Sequence, residues 1–526
     1  MKFFNTAGPV VAEDHYALDP LSRIDLDEVL SLIKQKKYFV LHAPRQTGKT
    51  SMLLALMRRL NQGDRYRCLY VNVETGQSAR EDVGAAIQTI LSQLAFHAQE
   101  FLEDDFFQKN RHKMQEKESP HSLLLAILAA WSKSSQKPTI LFIDEIDALV
   151  GDTLISVLRQ LRTGYAHRPQ NFPQSIILCG VRDVRDHRIH ASSEKDPVTG
   201  GSAFNVKAES LRMGNFSEVE THALLQLHTD ETGQVFSPEA KADIWQFSQG
   251  QPWLVNALAY EVTFKIKANR DPSVRLTALM VAQARENLIM RRETHLDQLV
   301  DKLREPRVHR VIAPILAGDD LSTQLLDDDI AYVQDLGLIK TRPQLEIANP
   351  IYREVIPRML TWPIQVSLSQ HSQWYISEKT GLLDMAKLLE AVQQFFRENS
   401  EHWTQRFQYK EAGAQLLLQA FLQRIVNGGG RIEREYGLGR GRTDLLVIVP
   451  HANGVQRIVL ELKIQRGGLR SSFIEKALPQ IAGYMDRCGT GQGHLIIFDQ
   501  TERKWEEKIF HGETCYKGVV VQTWGM

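Results

Sequence analysis

The sequence predicts a multidomain α/β chain: a parallel-sheet αβα core first, then a helical segment and a winged helix, and a smaller α/β domain last. Three observations lead there. The chain has 526 residues, which is long for one hydrophobic core. Apolar runs at 38–42, 66–74, 138–144 and 174–180 alternate with amphipathic stretches. That is the pattern of strands joined by helical crossovers, with helices on both faces of a parallel sheet. A second group of apolar runs, at 443–449, 456–463, 493–499 and 517–524, follows a polar helical stretch.

Composition narrows the functions. Apolar residues make up 43%, enough for proper cores. Lys+Arg and Asp+Glu are both 63, so any nucleic-acid binding must come from a local basic patch. The cysteines Cys68, Cys179, Cys488 and Cys515 show no metal-ligand or CxxC spacing, which fits reduced thiols and a cytoplasmic location. The N-terminus, MKFFNTAGPVV, has neither a basic n-region nor a long apolar h-region, so no signal peptide is expected. No run approaches about 18 uninterrupted apolar residues, so no membrane span is expected.

The first element is YFVLHAPRQTGKTS, residues 38–51. An apolar strand meets a polar loop (Pro44, Arg45, Gln46, Thr47), then Gly48-Lys49-Thr50-Ser51 and an amphipathic helix. This is the context of a P-loop. Backbone N–H groups of the loop and helix start would cradle the phosphates of ATP, Lys49 would reach the β/γ-phosphates, and Thr50 would ligate Mg²⁺. Ala43 stands where the motif has its first glycine.

The next is PTILFIDEIDAL, residues 138–149. Asp144 and Glu145 come at the carboxyl end of a strand, where such sheets bind ligands. Asp144 is placed to hold Mg²⁺ through water, and Glu145 to act as base for a water attacking the γ-phosphate. Asp147 reads as a helix cap. The strand in QSIILCGVRDVRD brings Arg182 and Asp183 to the same edge as candidate γ-phosphate sensors. Arg159 and Arg162 are candidates for an arginine finger, although the commoner fate of an arginine is the surface. His15, Tyr16 and Arg23 are candidates for an adenine pocket.

Together these stretches resemble the prokaryotic AAA-like, STAND-related P-loop ATPases, over roughly residues 10–360. The resemblance implies an ATPase core at 1–205, a helical lid at 206–292 and a winged helix at 293–363. A homo-oligomer on ATP binding is a further expectation. In that family the Gly250-Gln251-Pro252 pattern marks the lid. By itself it is a helix end followed by a helix start.

Ser217 and Glu220 form a capping-box pattern opening the helical segment. In the winged helix, LLDDDIAYVQDLGLI is a helix, LIKTRPQLEIAN a ribbon and PIYREVIPRML a closing helix. Asp327, Asp328, Asp329 and Asp335 make the candidate recognition helix acidic, so phosphates would repel it from the major groove. An intramolecular coupling role fits better.

After a connector at 364–404, YKEAGAQLLLQAFLQRIVNGGG reads as an amphipathic helix ended by glycines. Two strands follow around Asn453-Gly454. In RIVLELKIQRGG, Glu461 and Lys463 interrupt a buried-type strand and share one face. A turn centred between Ala452 and Asn453 sets Asp444 across from Glu461, on that same face. Two carboxylates so placed can hold one or two divalent metals, and a lysine beside them can stabilise developing charge. Taken alone, the group could equally be a charged pair on an edge strand. In IEKALPQIAGYMDRC, Gln480 and Tyr484 lie four residues apart on one helical face.

This D…E-x-K then Q-x-x-x-Y pattern resembles the RecB-like branch of the PD-(D/E)XK nucleases, over roughly residues 405–526. The resemblance implies a restriction-endonuclease-like α/β domain. Asp444 and Glu461 would be ligands for Mg²⁺ or Mn²⁺, with Glu411 as a further acidic residue at the metal. Lys463 would be catalytic, and Gln480 and Tyr484 would be active-site or DNA-contacting residues. Thr443 stands in place of the motif's proline. Arg440, Arg442, Arg466 and Arg470 could supply the basic patch.

The combined expectation is an ATP-dependent or ATP-gated, metal-dependent nuclease acting on DNA, single- or double-stranded, with a prokaryotic defence or mobile-element role implied by resemblance. One alternative is a nucleotide-driven assembly switch whose last domain only binds nucleic acid, recognisable by slow turnover and oligomerisation on ATP. The other is a DNA-translocating motor with an accessory nuclease, recognisable by turnover stimulated by long DNA.

Overall fold

The computed structural model describes residues 1–182, 188–189, 198–199, 204–291, 301–317, 325–367, 375–377, 380–406, 418, 422, 431–438, 441–451, 454–465, 467, 470–499, 501 and 503–526. Among them no helix is long and apolar enough to cross a membrane. The chain divides into two compact units, residues 1–295 with 325–352, and residues 296–324 with 353–526.

The first unit is built on β1 (Tyr38–His42), β2 (Arg67–Asn72), β3 (Thr139–Asp144) and β4 (Ser175–Gly180). A small ribbon of β5 (Arg188–Ile189) and β6 (Val198–Thr199) precedes β7 (Lys207–Arg212). The sheet order is β2-β3-β4-β1-β7, every pair parallel. Side chains alternate across it. Tyr38 and Val40 enter a core made with helices Val83–Leu102, Pro120–Ser134 and Gly151–Gly164. Phe39 and Leu41 enter another with helices Leu26–Lys34 and Lys49–Gln62. This is the expected αβα layering, which puts the strand carboxyl ends along one edge.

β7 is a fifth strand, where the sequence reading finds four. KAESLR has no apolar run, and as an edge strand with one neighbour it needs none.

Helices Glu218–Thr232, Pro238–Ser248, Pro252–Tyr260 and Ala278–Arg291 follow. The first starts with the capping box of Ser217 and Glu220. Gln251 caps the helix at Pro252, accepting from Leu254 N–H at 2.6 Å, so the Gly250-Gln251-Pro252 pattern is a helix end and a helix start. Helix Asp327–Asp335, β8 (Ile339–Lys340) paired antiparallel with β9 (Glu346–Ile347), and helix Pro350–Ser367 appear in the expected order, and the division between units falls within the last of these.

The second unit holds β10 (Arg431–Leu438), β11 (Gly441–His451), β12 (Gly454–Gln465), β13 (Gly493–Asp499), β14 (Phe510–Tyr516) and β15 (Val519–Gly525) in the order β10-β11-β12-β13-β15-β14. β12, β13 and β15 run parallel, and the flanking pairs are antiparallel. In the β11–β12 hairpin Leu445 pairs Leu460 and His451 pairs Gly454, the register expected from the turn. One face carries Leu460, Leu462, Ile496 and Trp524 against helix Met385–Arg406. The other carries Leu446, Val459, Leu495 and Ile497 against helix Arg470–Cys488.

Candidate functional site

At the edge of the first sheet, β1 leads into the loop 43–48. Gly48 turns the chain in the left-handed region (φ 87°), and helix Lys49–Gln62 starts without a side-chain cap, so its first N–H groups keep their capacity for an anion. Lys49 is 5% exposed and held inside the loop, donating to the carbonyls of Ala43 and Pro44 at 3.1 Å each. Thr47 braces the loop by donating to Pro44 O at 2.7 Å. Arg45 and Gln46 are exposed at its tip, and Gln46 has φ 56°.

Thr50 Oγ1 donates to Asp144 Oδ2 at 2.7 Å. Asp144 is fully buried, and Tyr70 donates to the same oxygen at 3.0 Å. Glu145 follows with φ 56°, a conformation costly for a non-glycine residue and concentrated at functional sites. Burial raises its carboxyl pKa above the ordinary value. Lys49 opposes that shift, and Asp144, Asp147 and Glu74 add to it. An uncapped helix start, a buried lysine and a Thr–Asp pair thus meet at this sheet edge.

Beside the loop lies a recess of about 800 Å³, counting its open mouth. Tyr16 and Arg23 line it, as the sequence suggests, with Gln46, Thr47, Gly48 and Ser51. His15 is instead buried, its Nδ1 accepting from Val11 N–H at 2.9 Å. Residues that the sequence does not single out also line it, among them the N-terminal Asn5–Gly8, Phe216, and Trp253, whose indole donates to Thr6 O at 2.9 Å. Arg23 donates to the carbonyls of Thr47 and Gly214 and lies 4.8 Å from the Phe216 ring centroid. Burial lowers its pKa to about 10.

Arg182 sits at the end of β4, its guanidinium 5.2 Å from the Tyr332 ring centroid. Asp183 lies outside the described residues. Arg159 is exposed, and both Arg159 and Arg162 lie on helix Gly151–Gly164.

In the second unit a polar chain crosses the face toward helix Arg470–Cys488. Lys463 Nζ donates to Glu461 Oε1 at 2.7 Å and to Gln480 Oε1 at 3.4 Å, and Gln480 Nε2 donates to Tyr484 Oη at 3.0 Å. Glu461 is fully buried and Tyr484 is 6% exposed. Four of the expected residues therefore meet. Asp444 lies in β11 beside Leu445, so the register carries it opposite Glu461; its side chain is not among those described. Glu411, Arg440 and Arg466 lie outside the described residues, as does the side chain of Arg442. Arg470 is engaged locally, donating to Glu507 O and stacking 4.2 Å from the Phe510 centroid. Among the described residues no group of three or more His, Cys, Asp and Glu is arranged to hold a metal ion. Of the metal set expected in this unit, Asp444, Glu461 and Glu411, only the Glu461 side chain is described.

Residues 23–172 match the family model described as Nephrocystin 3, N-terminal. The matched stretch takes in Lys49, Thr50, Asp144 and Glu145. The chain is similar to the Walker-type ATPase paby2304 of Pyrococcus abyssi, at 17% identity over 67% of this chain and 99% of that one, with a TM-score of 0.45. It is similar to Cdc6p from Pyrobaculum aerophilum, at 14% identity over 67% and 98%, TM-score 0.36. It is also similar to the RuvB Holliday junction branch migration motor of Thermotoga maritima, at 13% identity over 63% and 95%, TM-score 0.33. No curated protein matches the chain. The first unit carries a five-stranded parallel sheet with helices on both faces.

Proposed function

We propose that this chain is an ATP-dependent or ATP-gated, metal-dependent nuclease acting on DNA. The observation that carries the nuclease half is the hydrogen-bonded chain Glu461–Lys463–Gln480–Tyr484, which begins at a fully buried carboxylate. A fully buried carboxylate and a lysine are costly in a structural role, because desolvation offsets much of their attraction. At a phosphodiester site the same groups have work to do. Asp444 and Glu461, with Glu411, would hold the metal, which would supply Lewis-acid activation of water and phosphate. Lys463 neutralises charge on the scissile phosphate, and Gln480 and Tyr484 orient Lys463 and the DNA backbone.

In the first unit Lys49 and the N–H groups at the start of its helix bind the triphosphate. Thr50 and Asp144 would hold Mg²⁺, whose charge would offset that of the phosphates. Glu145 accepts the proton of the attacking water, and Arg182 faces the γ-phosphate. The recess between Tyr16 and Trp253 takes the base. The five-part division at 205, 292, 363 and 404 belongs to this reading, as do a cytoplasmic setting and assembly on ATP.

The test incubates plasmid and single-stranded DNA with Mg²⁺ or Mn²⁺, with and without ATP. Cleavage that depends on metal and responds to ATP is expected. No cleavage of either DNA under conditions that support ATP hydrolysis overturns the nuclease half.

A further inference from the structure

The carboxyl end of β4 is a junction. Gly180 O accepts from Ala43 N–H, the first residue of the phosphate loop, at 3.2 Å. Val181 N–H donates to Asp147 Oδ2, and Asp147 lies two residues past Glu145 in the turn Ile146–Ala148. Arg182 is the next residue along. The fit is tight: a Cβ at Gly180 would stand 2.8 Å from Asp147 Cγ.

We infer that Asp147 is a positioning residue for ATP hydrolysis, docking the turn that bears Glu145 onto the strand end that bears Arg182. This rests on the ATPase reading above and adds to it a residue that touches no nucleotide. Glu145 is held in the left-handed region, so its turn needs an external anchor, and the Asp147–Val181 bond supplies one. One strand end then sets the phosphate loop, the base and Arg182 in register. A residue so placed acts on the rate of the chemical step, because small misplacements of the base cost rate without costing binding.

The experiment compares the full-length parent with Asp147→Ala, Asp147→Asn and Gly180→Ala. It measures steady-state ATP hydrolysis, equilibrium binding of a fluorescent ATP analogue, thermal stability and hydrogen exchange at the Val181 amide. Asp147→Ala should lower kcat about 10- to 100-fold with nucleotide affinity changed less than about threefold. The Val181 amide should lose protection. Asp147→Asn keeps an acceptor and should hold kcat within about fivefold of the parent and keep the amide protected. Gly180→Ala, which displaces the Asp147 carboxylate, should lower kcat in the same way.

Parental kcat in Asp147→Ala overturns the inference. So does an equal loss in Asp147→Asn with Val181 still protected, since the charge and not the bond would then matter. A parallel fall in kcat, affinity and stability reduces Asp147 to a structural residue and also overturns it. A parent that hydrolyses no ATP overturns the ATPase reading instead, and protection at Val181 then decides the anchor separately.

Discussion

Lys463 Nζ lies 2.7 Å from Glu461 Oε1, and that carboxylate has no exposed surface. An acid and a base two residues apart on a buried strand are thus one another's partner. Asp444→Ala, Glu461→Ala and Lys463→Ala should each abolish DNA cleavage while ATP hydrolysis stays near parental, because the two sites occupy different units. Lys463→Ala also strands a buried charge, so stability should fall by about 3–5 kcal/mol. Cleavage, phosphate release and thermal unfolding measured side by side check this; cutting that survives in Glu461→Ala would reduce the cluster to a structural ion pair.

The phosphate loop makes a separate prediction. Lys49→Ala should abolish ATP turnover through lost binding. Glu145→Gln should bind nucleotide normally and not hydrolyse it, since an amide cannot take a proton. Turnover of Glu145→Gln at the parental rate would unseat Glu145 as the base.

Glu145 also predicts a pH profile. Burial raises its pKa, so its basic form is lost while pH is still above the ordinary glutamate range. The acidic limb of kcat/KM for ATP should therefore lie above pH ~4.3. A limb at or below that value would mean that the base is another group.

His494 sets a stability prediction for the second unit. Its Nδ1 accepts from the Trp524 indole at 3.1 Å, and burial, followed by the nearby His511, lowers its pKa to about 4. In the unfolded chain it would titrate near 6.5. Between those values the unfolded chain takes up a proton that the folded one refuses, so stability falls as pH drops from about 6.5 to 4, by roughly 3 kcal/mol in all. Denaturant titrations of the parent and His494→Gln at pH 7 and 5 test this. The variant, which keeps an acceptor for Trp524, should lose less stability on acidification.

Helix Asp327–Asp335 predicts a null result for DNA. Asp327 and Asp328 are exposed, whereas Asp329 is 4% exposed, so the informative variant is the double alanine at 327 and 328. DNA affinity should not fall. A clear loss in filter binding, with the helix intact, would give this segment a groove contact after all.

Much of this architecture was legible in the sequence because it is written in short-range pattern. Apolar runs marked β1 to β4, and the Gly48-Lys49-Thr50 run marked the phosphate loop. The Asn-Gly signal in the sequence was enough to predict the hairpin register that sets His451 opposite Gly454, and a shift by one residue would turn Glu461 to the opposite face. Helical spacing alone put Gln480 beside Tyr484.

What only the tertiary structure decided lies in contacts between distant residues. Tyr70 shares Asp144 with Thr50 because β2 and β3 are parallel neighbours with Asn72 opposite Asp144. Asp147, which reads as a cap, instead holds Val181, 34 residues on. Thr6 meets Trp253 across 247 residues to close one wall of the recess. β7 is a polar strand recruited by a free sheet edge. Periodicity records which face of an element is buried, and so the sequence determined most of the apolar strands and their faces. It does not record which elements become neighbours, because that depends on how the whole chain satisfies its buried faces and backbone at once.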